Sequence, residues 1–348
     1  MMIKQRFFNQ SGIIRNEQLR TTRILSKDFS FSKWELNGSY AKVLKRKHFE
    51  INPEYLLFLD KDWTLFSSCG FLKSPEGNWI TDSFSFPFET EFKSYFNQQI
   101  PAKRSVHLSG IYFVFTNVGF SNYYHVLTEL LPRLEFYMPF IGKVKLLVSE
   151  NIPSFLAEAF DLLGITNNDI QLVRDGIEYT ADTLMTIPWG LNFIPERFEF
   201  IKNNFLKRTV DYNADKPKSK RIYVSRKSES NRSIVNEEDI IPILDSFGFE
   251  CVESQKMSLS EQITLFSTAA VICGPHGAGL SNLLWMSSPK VIEIRPENFA
   301  NDCFLHAALI KNASNYAVFE TNTHGDEKTM TVNPILFDFF LSQFFSPA

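Results

Sequence analysis

The apolar residues between about 111 and 209 follow two alternating patterns. Short continuous apolar runs are typical of buried strands, and longer stretches with apolar residues three or four apart are typical of helices with one buried face. Strands and helices that alternate in this way predict a parallel sheet covered by helices. The predicted strands are 111–115, 144–149 and 170–173, and the predicted helices are about 122–138, 153–164 and 196–209.

The same alternation starts again at residue 221, after a polar and basic stretch that has no apolar periodicity. Such a stretch is typical of a linker between domains. Beyond it, Ser258 and Glu261 have the spacing of a capping box at the start of a helix. The predicted strands are 221–225, 249–253, 270–274 and 290–294, and the predicted helices are 237–247, 259–268, one from about 278, 302–310 and 334–345.

These patterns predict an α/β fold made of two doubly wound halves that face a cleft. Sheets of this kind bind ligands beyond the carboxyl ends of their strands. The aromatic runs 55–59 and 84–88 are broken by turn residues, which indicates strands and turns in the first hundred residues. The predicted domains are 1–210 (strand-rich to 105, α/β from 106), a linker at 211–220, and 221–348.

The composition narrows the possible classes of function. The chain has 348 residues, and its 36 Lys plus Arg against 39 Asp plus Glu give a net charge of −3, which argues against a protein that coats nucleic acid. No stretch has the apolar length of a signal peptide or a membrane span, so we expect a cytoplasmic protein whose association with a membrane, if any, is peripheral. Neither a zinc site nor a disulfide framework is predicted, because no CxxC pair occurs among Cys69, Cys251, Cys273 and Cys303.

The first candidate site lies in the predicted helix 122–138. His125 and Glu129 are four residues apart and therefore project from one face of that helix. A carboxylate beside an imidazole can fix its tautomer and stabilise the imidazolium, which makes the pair a candidate proton acceptor. The alternative is an ordinary pair on a helix surface. Pro132 favours a functional interpretation, because an interior proline is tolerated at a kink or a helix end.

The second candidate site is the polar loop that follows the predicted strand 221–225. Arg226, Lys227 and Arg232 precede a helix whose N-cap lies near Asn236. Arginine presents a planar set of donors to phosphate oxygens, so cations at the carboxyl end of a strand favour a phosphate ligand. The alternative is that these basic residues only keep the surface soluble.

The third candidate site is the sequence AVICGPHGAGLSNLLW at 270–285, a buried strand followed by a glycine-rich turn. Gly274, Gly277 and Gly279 would let the backbone approach a ligand, and the N-terminus of the next helix attracts an anion, so a diphosphate is the expected ligand. The turn is neither a Walker loop nor GxGxxG, which argues against ATP hydrolysis and dinucleotide binding. We interpret His276 as a ligand contact rather than as a core histidine.

Two acidic candidates are less specific. Glu293, near the end of the strand 290–294, could accept hydrogen bonds from ribose hydroxyls, or it could be an ordinary carboxylate at a strand end. Asp60 and Asp62 form a D-x-D, the spacing with which many metal-dependent transferases hold a cation. Because this pair precedes the α/β region, we interpret it as a turn.

Three motifs, taken in order, resemble glycosyltransferase family 61. They are H-x-x-x-E-x-L-P-R-L, then S-R with a second Arg six residues on and N-E-E after it, then G-P-H-G-A-G-L-S-N. The resemblance covers about residues 110–300, and the bacterial type that acts in capsular polysaccharide biosynthesis is the closer one. It implies two Rossmann-like domains in the GT-B arrangement, and we expect that the C-terminal helix can pack back on the N-terminal domain.

The resemblance also implies roles for individual residues. It places His125 and Glu129 in the acceptor-side helix of the N-terminal half, and we expect these two to be the catalytic residues. On the donor side, the residues predicted to bind the nucleotide sugar are Arg226, Arg232, His276, Gly277, Ala278, Gly279 and Asn282, and Glu293 is added from the strand that follows.

The resemblance also implies transfer with inversion, which corresponds to a single displacement. His125 or Glu129 removes the proton of a glycan hydroxyl, which attacks the anomeric carbon of a nucleotide-sugar donor, expected to be UDP-linked. Arg226, Arg232 and the turn at His276 would stabilise the leaving diphosphate, so we expect no metal ion and no other cofactor. Two alternatives remain at this point: a transferase of another class, similar to pyruvyltransferases, and a nonenzymatic protein that binds nucleotides or carbohydrates.

Overall fold

The computed structural model describes residues 57–66, 69–75, 79–80, 104–187, 195–209, 218–297, 299, 301–324 and 329–346, together with three short strands nearer the N-terminus. The chain forms two compact units, Met1–Asp28 with Glu50–Ile201 and Phe29–Phe49 with Lys202–Ala348. The linker predicted at 211–220 stays a prediction, because 210–217 lie outside the described residues, as does the aromatic run 84–88.

The strands of the first half of the chain are short except for two long parallel neighbours. They are β1 (Ile13–Ile14), β2 (Phe29–Ser30), β3 (His48–Phe49), β4 (Leu57–Asp60), β5 (Thr64–Phe66), β6 (Phe71–Lys73), β7 (Trp79–Ile80), β8 (Arg104–Val114), β9 (Lys145–Ser149), β10 (Ile170–Val173) and β11 (Ile177–Thr186). Strands β2 and β3 pair with each other, and the other nine form the mixed sheet of the first unit. One end of this sheet is parallel in the order β10-β9-β8-β11, which confirms the predicted parallel arrangement.

The apolar pattern does not predict β11, although this strand pairs with β8 on one side and with β4 and β5 on the other. Tyr179 and Ala181 are buried in the core, whereas Asp182 is exposed. A strand with one polar face shows alternation rather than a continuous apolar run. Because polar residues interrupt its apolar ones, β11 has no continuous apolar run that would predict a strand.

The predicted helices of the first half are all present. The first is a continuous helical stretch that changes geometry several times: α1 (Tyr123–His125), a π-helical turn (Val126–Leu130), a 3-10 turn (Leu131–Arg133), α2 (Leu134–Tyr137) and a second 3-10 turn (Met138–Phe140). The others are α3 (Ser154–Leu163), a 3-10 turn (Asn167–Asp169) and α4 (Pro195–Leu206).

The second unit has a sheet whose strand order is that of a doubly wound fold. Its strands are β12 (Lys220–Val224), β13 (Ser233–Ile234), β14 (Phe249–Val252), β15 (Ala269–Pro275), β16 (Lys290–Pro296), β17 (Asn315–His324) and β18 (Thr329–Thr331). The strands β14-β12-β15-β16-β17 are parallel and follow the order 2-1-3-4-5 along the chain. The α/β fold class is therefore confirmed, while the GT-B arrangement of two domains stays a prediction.

The helices of the second unit agree with the predicted positions, and they are α5 (Glu237–Ser246), a 3-10 turn (Ser254–Lys256), α6 (Leu259–Ser267), a 3-10 helix (Ala278–Trp285), α7 (Cys303–Ile310) and α8 (Pro334–Phe345). The capping box predicted for α6 is present, because Ser258 and Glu261 exchange both of its hydrogen bonds. Asn236 occupies the N-cap position of α5 as predicted, but its side chain bonds to the backbone of Val332 instead of capping the helix.

The C-terminal helix α8 packs within its own unit, and its expected packing on the N-terminal domain stays a prediction. The buried residues of α8, Phe337 and Leu341, lie in the core of the second unit with Phe319 of β17 and Ile240 of α5. These two residues are four apart and form one apolar face. That face is used within the unit to which the helix belongs, so α8 is a core element of the second unit.

Candidate active site

The acceptor-side motif follows the carboxyl end of β8, a central strand of the first sheet. The side chain of Asn122 accepts a hydrogen bond from the backbone N–H of Tyr124 at 2.9 Å and so caps the helix that carries the motif. The helix takes π geometry after His125 and 3-10 geometry around Pro132. Turns of π-helix are rare and occur frequently at functional sites. The proline thus lies where the helix changes its geometry.

The first unit brings His125 and Glu129 together. Nδ1 of His125 lies 2.6 Å from Oε1 of Glu129, and the amide Nδ2 of Asn117 donates to Oε2 of the same carboxylate at 3.0 Å. Asn117 and Glu129 are buried, while the side chain of His125 is 18% exposed. Gly119 lies against the imidazole, and a Cβ at this position would lie only 2.6 Å from Cγ of His125. Four residues of the first unit, two of them not predicted, therefore form this cluster.

This geometry gives the two predicted residues different chemical capacities. An ionised carboxylate only accepts hydrogen bonds, so the contact with Glu129 requires a proton on Nδ1 of His125. The neutral ring then has its lone pair on Nε2, which can accept a proton from a hydroxyl. Glu129 can stabilise the imidazolium that results, and Asn117 fixes the orientation of the carboxylate. The arrangement is able to act as a general base.

The donor-side motifs meet at the carboxyl edge of the second sheet. Strands β12 and β15 are adjacent there, and they are the first and third strands of the order 2-1-3-4-5. Sheets with this order bind ligands at the carboxyl ends of these two strands, where the winding of the chain reverses. The loop after β12 carries Arg226 and Arg232, and the turn after β15 carries His276 and Gly277.

A buried carboxylate anchors the start of the arginine loop. The oxygens of Glu237 accept hydrogen bonds from the hydroxyls of Tyr223 (2.8 Å) and Ser225 (2.7 Å). The hydroxyl of Ser225 also accepts a hydrogen bond from the backbone N–H of Lys227 at 3.1 Å. Glu237 is the first residue of α5, so it joins the strand, the loop and the helix that follows. The N-E-E part of the second motif therefore has a positioning role.

Arg226 is held against the glycine turn. Its Nε and Nη2 atoms donate to the carbonyl of Asn231 at 3.3 and 3.0 Å, and a Cβ on Gly277 would lie 2.6 Å from its Cζ. Burial, together with the nearby charge of Arg232, lowers the pKa of Arg226. The carboxylate of Glu229 approaches Nη2 only to 3.9 Å. An anion at the turn would offset the repulsion between the two guanidinium groups.

Arg232 is fixed to the same turn by its own side chain. Its Nε donates to the backbone carbonyl of His276 at 2.9 Å, and its guanidinium carbon lies 5.8 Å from the ring centre of Phe299. The φ of Arg232 is 55°, a left-handed conformation that is uncommon outside glycine and clusters at ligand sites. The structure therefore brings two arginines that are six residues apart onto the backbone of one turn.

His276 belongs to a buried chain of hydrogen bonds. Its Nδ1 bonds to the carboxylate of Glu293, whose other oxygen accepts a hydrogen bond from the hydroxyl of Tyr316. The rings of Phe299 and Phe304 pack against the imidazole at centroid distances of 4.7 and 4.9 Å. His276 is 5% exposed and Glu293 is 0% exposed. The histidine is thus firmly packed and lies in the turn that both arginines contact.

Two predicted donor contacts have a different role in the structure. Glu293 is fully buried and both of its oxygens are bonded within the protein, so it positions His276 rather than contacting a ribose. Asn282 is also fully buried, and its amide donates to Gln262 Oε1 at 2.9 Å and to the carbonyl of Gly279 at 3.0 Å. Asn282 therefore ties the 3-10 helix to α6. The sequence pattern does not reveal that these two polar side chains are buried.

The glycines of the turn leave space for other atoms of the protein, whereas the sequence suggested that they let the backbone approach a ligand. A Cβ on Gly274 would lie 2.8 Å from the carbonyl oxygen of Val224, and one on Gly279 would lie 2.7 Å from Cγ1 of the same valine. Ala278 begins a 3-10 helix instead of the α-helix that the pattern suggests. The glycines therefore allow β15 and its turn to approach the end of β12.

Some residues of the site were not predicted from the sequence, and they differ in whether the sequence carries a signal for them. Asn117 and Gly119 lie in the polar turn TNVGFSN between a strand and a helix, and such a turn at a strand's carboxyl end is itself a signal. Glu237 was already part of the second motif. Tyr316 lies in β17, which the pattern does not predict, and nothing in the sequence points to it.

The described residues contain no group of three or more His, Cys, Asp or Glu side chains that could hold a metal ion. Asp60 ends β4 and Asp62 lies in the turn that follows, so the prediction of a turn at this D-x-D is confirmed. All four cysteines are free thiols. Within the same part of the chain, every helix is too short or too polar to span a bilayer.

A protein-family model matches the part of the chain that carries these motifs. The model of the family Glycosyltransferase 61 matches residues 123–292, a region that contains the His125–Glu129 pair, both arginines and the glycine turn. The resemblance predicted from the motifs is confirmed over this region, which is similar to the glycosyltransferases of family 61. No curated protein matches the chain significantly. The bacterial capsular type stays a prediction.

Proposed function

We propose that the protein is an inverting, metal-independent glycosyltransferase of GT-B arrangement that moves a sugar from a UDP-linked donor to a hydroxyl of a glycan. The observation that carries the proposal is the convergence of Arg226 and Arg232 on the turn at Gly277. The similarity to glycosyltransferase family 61 supports the transfer of a sugar to a glycan. The site supports a donor whose leaving group is a phosphate anion.

On the donor side, the two guanidinium groups bind the diphosphate through charge-assisted hydrogen bonds. Each such bond contributes roughly 1.5–3 kcal/mol. Negative charge on the diphosphate grows as the bond to the anomeric carbon breaks, so preorganised cations stabilise the transition state more than the bound donor. Because Arg226 and Arg232 supply this charge, the proposed reaction needs no divalent ion.

On the acceptor side, Nε2 of His125 removes the proton of the attacking hydroxyl. The hydroxyl oxygen forms the new bond to the anomeric carbon while the bond to the diphosphate oxygen breaks, and that electron pair leaves with the nucleotide. A single displacement of this kind inverts the anomeric configuration. Glu129 holds Nδ1 of His125 and balances the imidazolium charge.

We propose surface or capsular polysaccharide as the acceptor glycan and the cytoplasm as the place of action, with peripheral association to membrane-linked polysaccharide assembly. The resemblance of the motifs to the bacterial members of the family supports this biological role. The partners required are a nucleotide sugar and a glycan, and no nucleic acid.

The proposal is tested by the transfer of sugar to water, which needs no knowledge of the acceptor. The purified protein is incubated with UDP-, GDP- and CMP-sugars, with and without EDTA, and the anomer released first is identified by NMR. We expect release with inversion that persists in EDTA and falls about 10²- to 10³-fold in Arg226→Ala. Lys227→Ala is the matched control, because Lys227 is exposed and pairs with Glu238 at 2.7 Å. Release with retention, or only with a divalent ion, would contradict the proposal.

A further inference from the structure

The residue that follows β14 lies beside the arginine loop, the loop after β12 that carries Arg226 and Arg232. Strands β14 and β12 are parallel neighbours, and Glu253 is the first residue after β14. The backbone N–H of Ser225, at the start of the arginine loop, donates to the carbonyl of Val252 at 2.8 Å. Glu253 therefore lies at the same carboxyl edge of the sheet as the arginine loop.

Hydrogen bonds join the carboxylate of Glu253 to the arginine loop. The hydroxyl of Ser228, the second residue after Arg226, donates to Oε2 of Glu253 at 2.8 Å. The amide of Gln255 donates to Oγ of Ser228 at 2.6 Å and to Oε2 of Glu253 at 3.4 Å. On the other side of the carboxylate, Nζ of Lys256 donates to Oε1 at 2.7 Å. These contacts hold the carboxylate in one orientation against the loop of the proposed donor site.

The carboxylate of Glu253 can accept a further hydrogen bond. Its oxygens offer about four acceptor positions, and within the described residues Ser228, Gln255 and Lys256 use three of them. The side chain is 28% exposed. Hydrogen bonds from Lys256 and Ser228 lower the pKa of this carboxyl, so at neutral pH it is ionised and only accepts hydrogen bonds. A hydroxyl group is therefore a suitable ligand, whereas a phosphate would be repelled.

The opposite side of the glycine turn is closed by contacts within the protein. Glu293 on β16 is fully buried, and its oxygens are bonded to His276 and Tyr316. The rings of Phe299 and Phe304 pack against the same imidazole. Of these two acidic side chains, the one on the β14 side is therefore the one that a bound nucleotide can reach.

We propose that Glu253 accepts a hydrogen bond from the 2′-hydroxyl of the donor's ribose, so that the site selects ribonucleotides over 2′-deoxyribonucleotides. In doubly wound sheets that bind nucleotides, phosphate binds after the first strand, and an acidic residue further along the chain hydrogen-bonds the ribose 2′-hydroxyl. The arginine loop after β12, and Glu253 after α5 and β14, have these positions. Ser228 positions the carboxylate, and this role of Glu253 rests on the donor site described under the proposed function.

Calorimetry with UDP, GDP and their 2′-deoxy forms tests the role of Glu253, because removal of one hydroxyl leaves the diphosphate unchanged. For the ribonucleotide that binds, we expect the Kd of the 2′-deoxy form to be about 10- to 150-fold higher, which corresponds to one hydrogen bond to a charged group. Glu253→Ala should raise the Kd of the ribonucleotide to that of the deoxy form and leave the latter almost unchanged. Glu250→Ala is the matched control, because Glu250 is an exposed residue of β14 that pairs with Lys220 at 2.9 Å.

The ratio of the two Kd values separates the possible results. Equal Kd values in the wild-type protein, or an unchanged ratio in Glu253→Ala, overturn the role of Glu253 and leave the donor site intact. A purely structural role would raise both Kd values alike and so keep the ratio. Failure of both ribonucleotides to bind the wild-type protein overturns the donor site together with this role.

A second variant decides if thermal unfolding shows that Glu253→Ala is not folded. Glu253→Gln keeps an acceptor oxygen but removes the charge, and a neutral hydrogen bond is weaker than a charge-assisted one. The ratio should therefore fall in Glu253→Gln as well, and a ratio equal to that of the wild-type protein would overturn the role of Glu253.

Discussion

The guanidinium of Arg226 lies so close to the α-carbon of Gly277 that any side chain at this glycine would overlap it. Gly277 has a φ of 170°, an extended conformation that every residue can adopt. The requirement for glycine is therefore one of space. Two motifs that are distant in the sequence form one site because the turn of the third motif receives the first arginine of the second.

Gly277→Ala should weaken nucleotide binding by displacing Arg226. Loss of one charge-assisted hydrogen bond costs roughly 1.5–3 kcal/mol, which corresponds to about a 10- to 150-fold rise in Kd. The measurement is a double-mutant cycle by calorimetry with Arg226→Ala. In the Arg226→Ala background, Gly277→Ala should change the Kd little. Effects that add in the double variant would show that the methyl group acts on something other than Arg226.

Substitutions of His125 and Glu129 should have unequal effects on turnover. His125→Ala removes the proposed base and should lower kcat by about 10²- to 10⁴-fold. Glu129→Gln should cost less, because an amide oxygen can still accept the Nδ1 hydrogen bond. Steady-state kinetics at saturating donor separate the two, with nucleotide affinity as the control that neither variant should change. A larger loss for Glu129→Gln would make the carboxylate the base.

Gly119→Ala should impair catalysis through the position of the histidine ring. The new Cβ would lie 2.6 Å from Cγ of His125, so the ring cannot keep its present position beside Glu129. We expect kcat to fall towards the value of His125→Ala, since small displacements of a catalytic group can cost about 10²-fold. The decisive comparison is made in the His125→Ala background, where the glycine substitution should cost nothing further. A loss of similar size there would assign Gly119 to the fold instead.

Asp169 should stabilise the first unit in a way that depends on pH. Burial alone would raise the pKa of its carboxyl, but hydrogen bonds from the Thr166 hydroxyl (2.7 Å), the Thr166 N–H (2.9 Å) and the Gly142 N–H (3.2 Å) lower it overall. A carboxyl whose pKa is lower in the folded state stabilises the fold above its unfolded pKa, about 3.9, and this contribution is lost as the pH falls through the folded value.

Asp169→Asn should therefore lower the free energy of unfolding by about 1–3 kcal/mol at pH 7, and by less near pH 3. Urea denaturation at the two pH values measures the difference. Asp161→Asn, which changes an exposed carboxylate on α3, is the matched control and should have little effect. An equal loss at both pH values would mean that the ionised carboxylate is not the stabilising form.

Local patterns made much of the site predictable, because some relationships depend only on sequence spacing. His125 and Glu129 meet because residues four apart share a helix face, and Arg226 follows a strand whose apolar run is evident. The burial of Glu293 and its bond to Tyr316 depend on how β16 and β17 pair side by side, which no local pattern encodes. Strand β11 was missed for a similar reason, because its alternating polar and apolar residues gain their meaning from the neighbouring strands of the sheet.

The atoms that fill the space beside the glycines of the third motif also could not be predicted from the sequence. The glycines of the third motif indicate a close approach, but a sequence cannot tell whether a ligand or the protein itself fills the space. In the structure, Val224 lies against Gly274 and Gly279, and Arg226 lies against Gly277. This packing changes the interpretation of the turn from a cradle for phosphate into a support for the arginine that we propose binds the phosphate.

The most direct test of the account is calorimetric titration with UDP, GDP and CMP, each with and without EDTA, of the wild-type protein, Arg226→Ala and Lys227→Ala. The account predicts selective binding of one nucleotide, expected to be UDP, that persists in EDTA, is lost in Arg226→Ala and is unchanged in Lys227→Ala. Absence of binding to all three nucleotides, binding only with a divalent ion, or wild-type affinity in Arg226→Ala would contradict the central claim that two arginines on a glycine turn hold the donor.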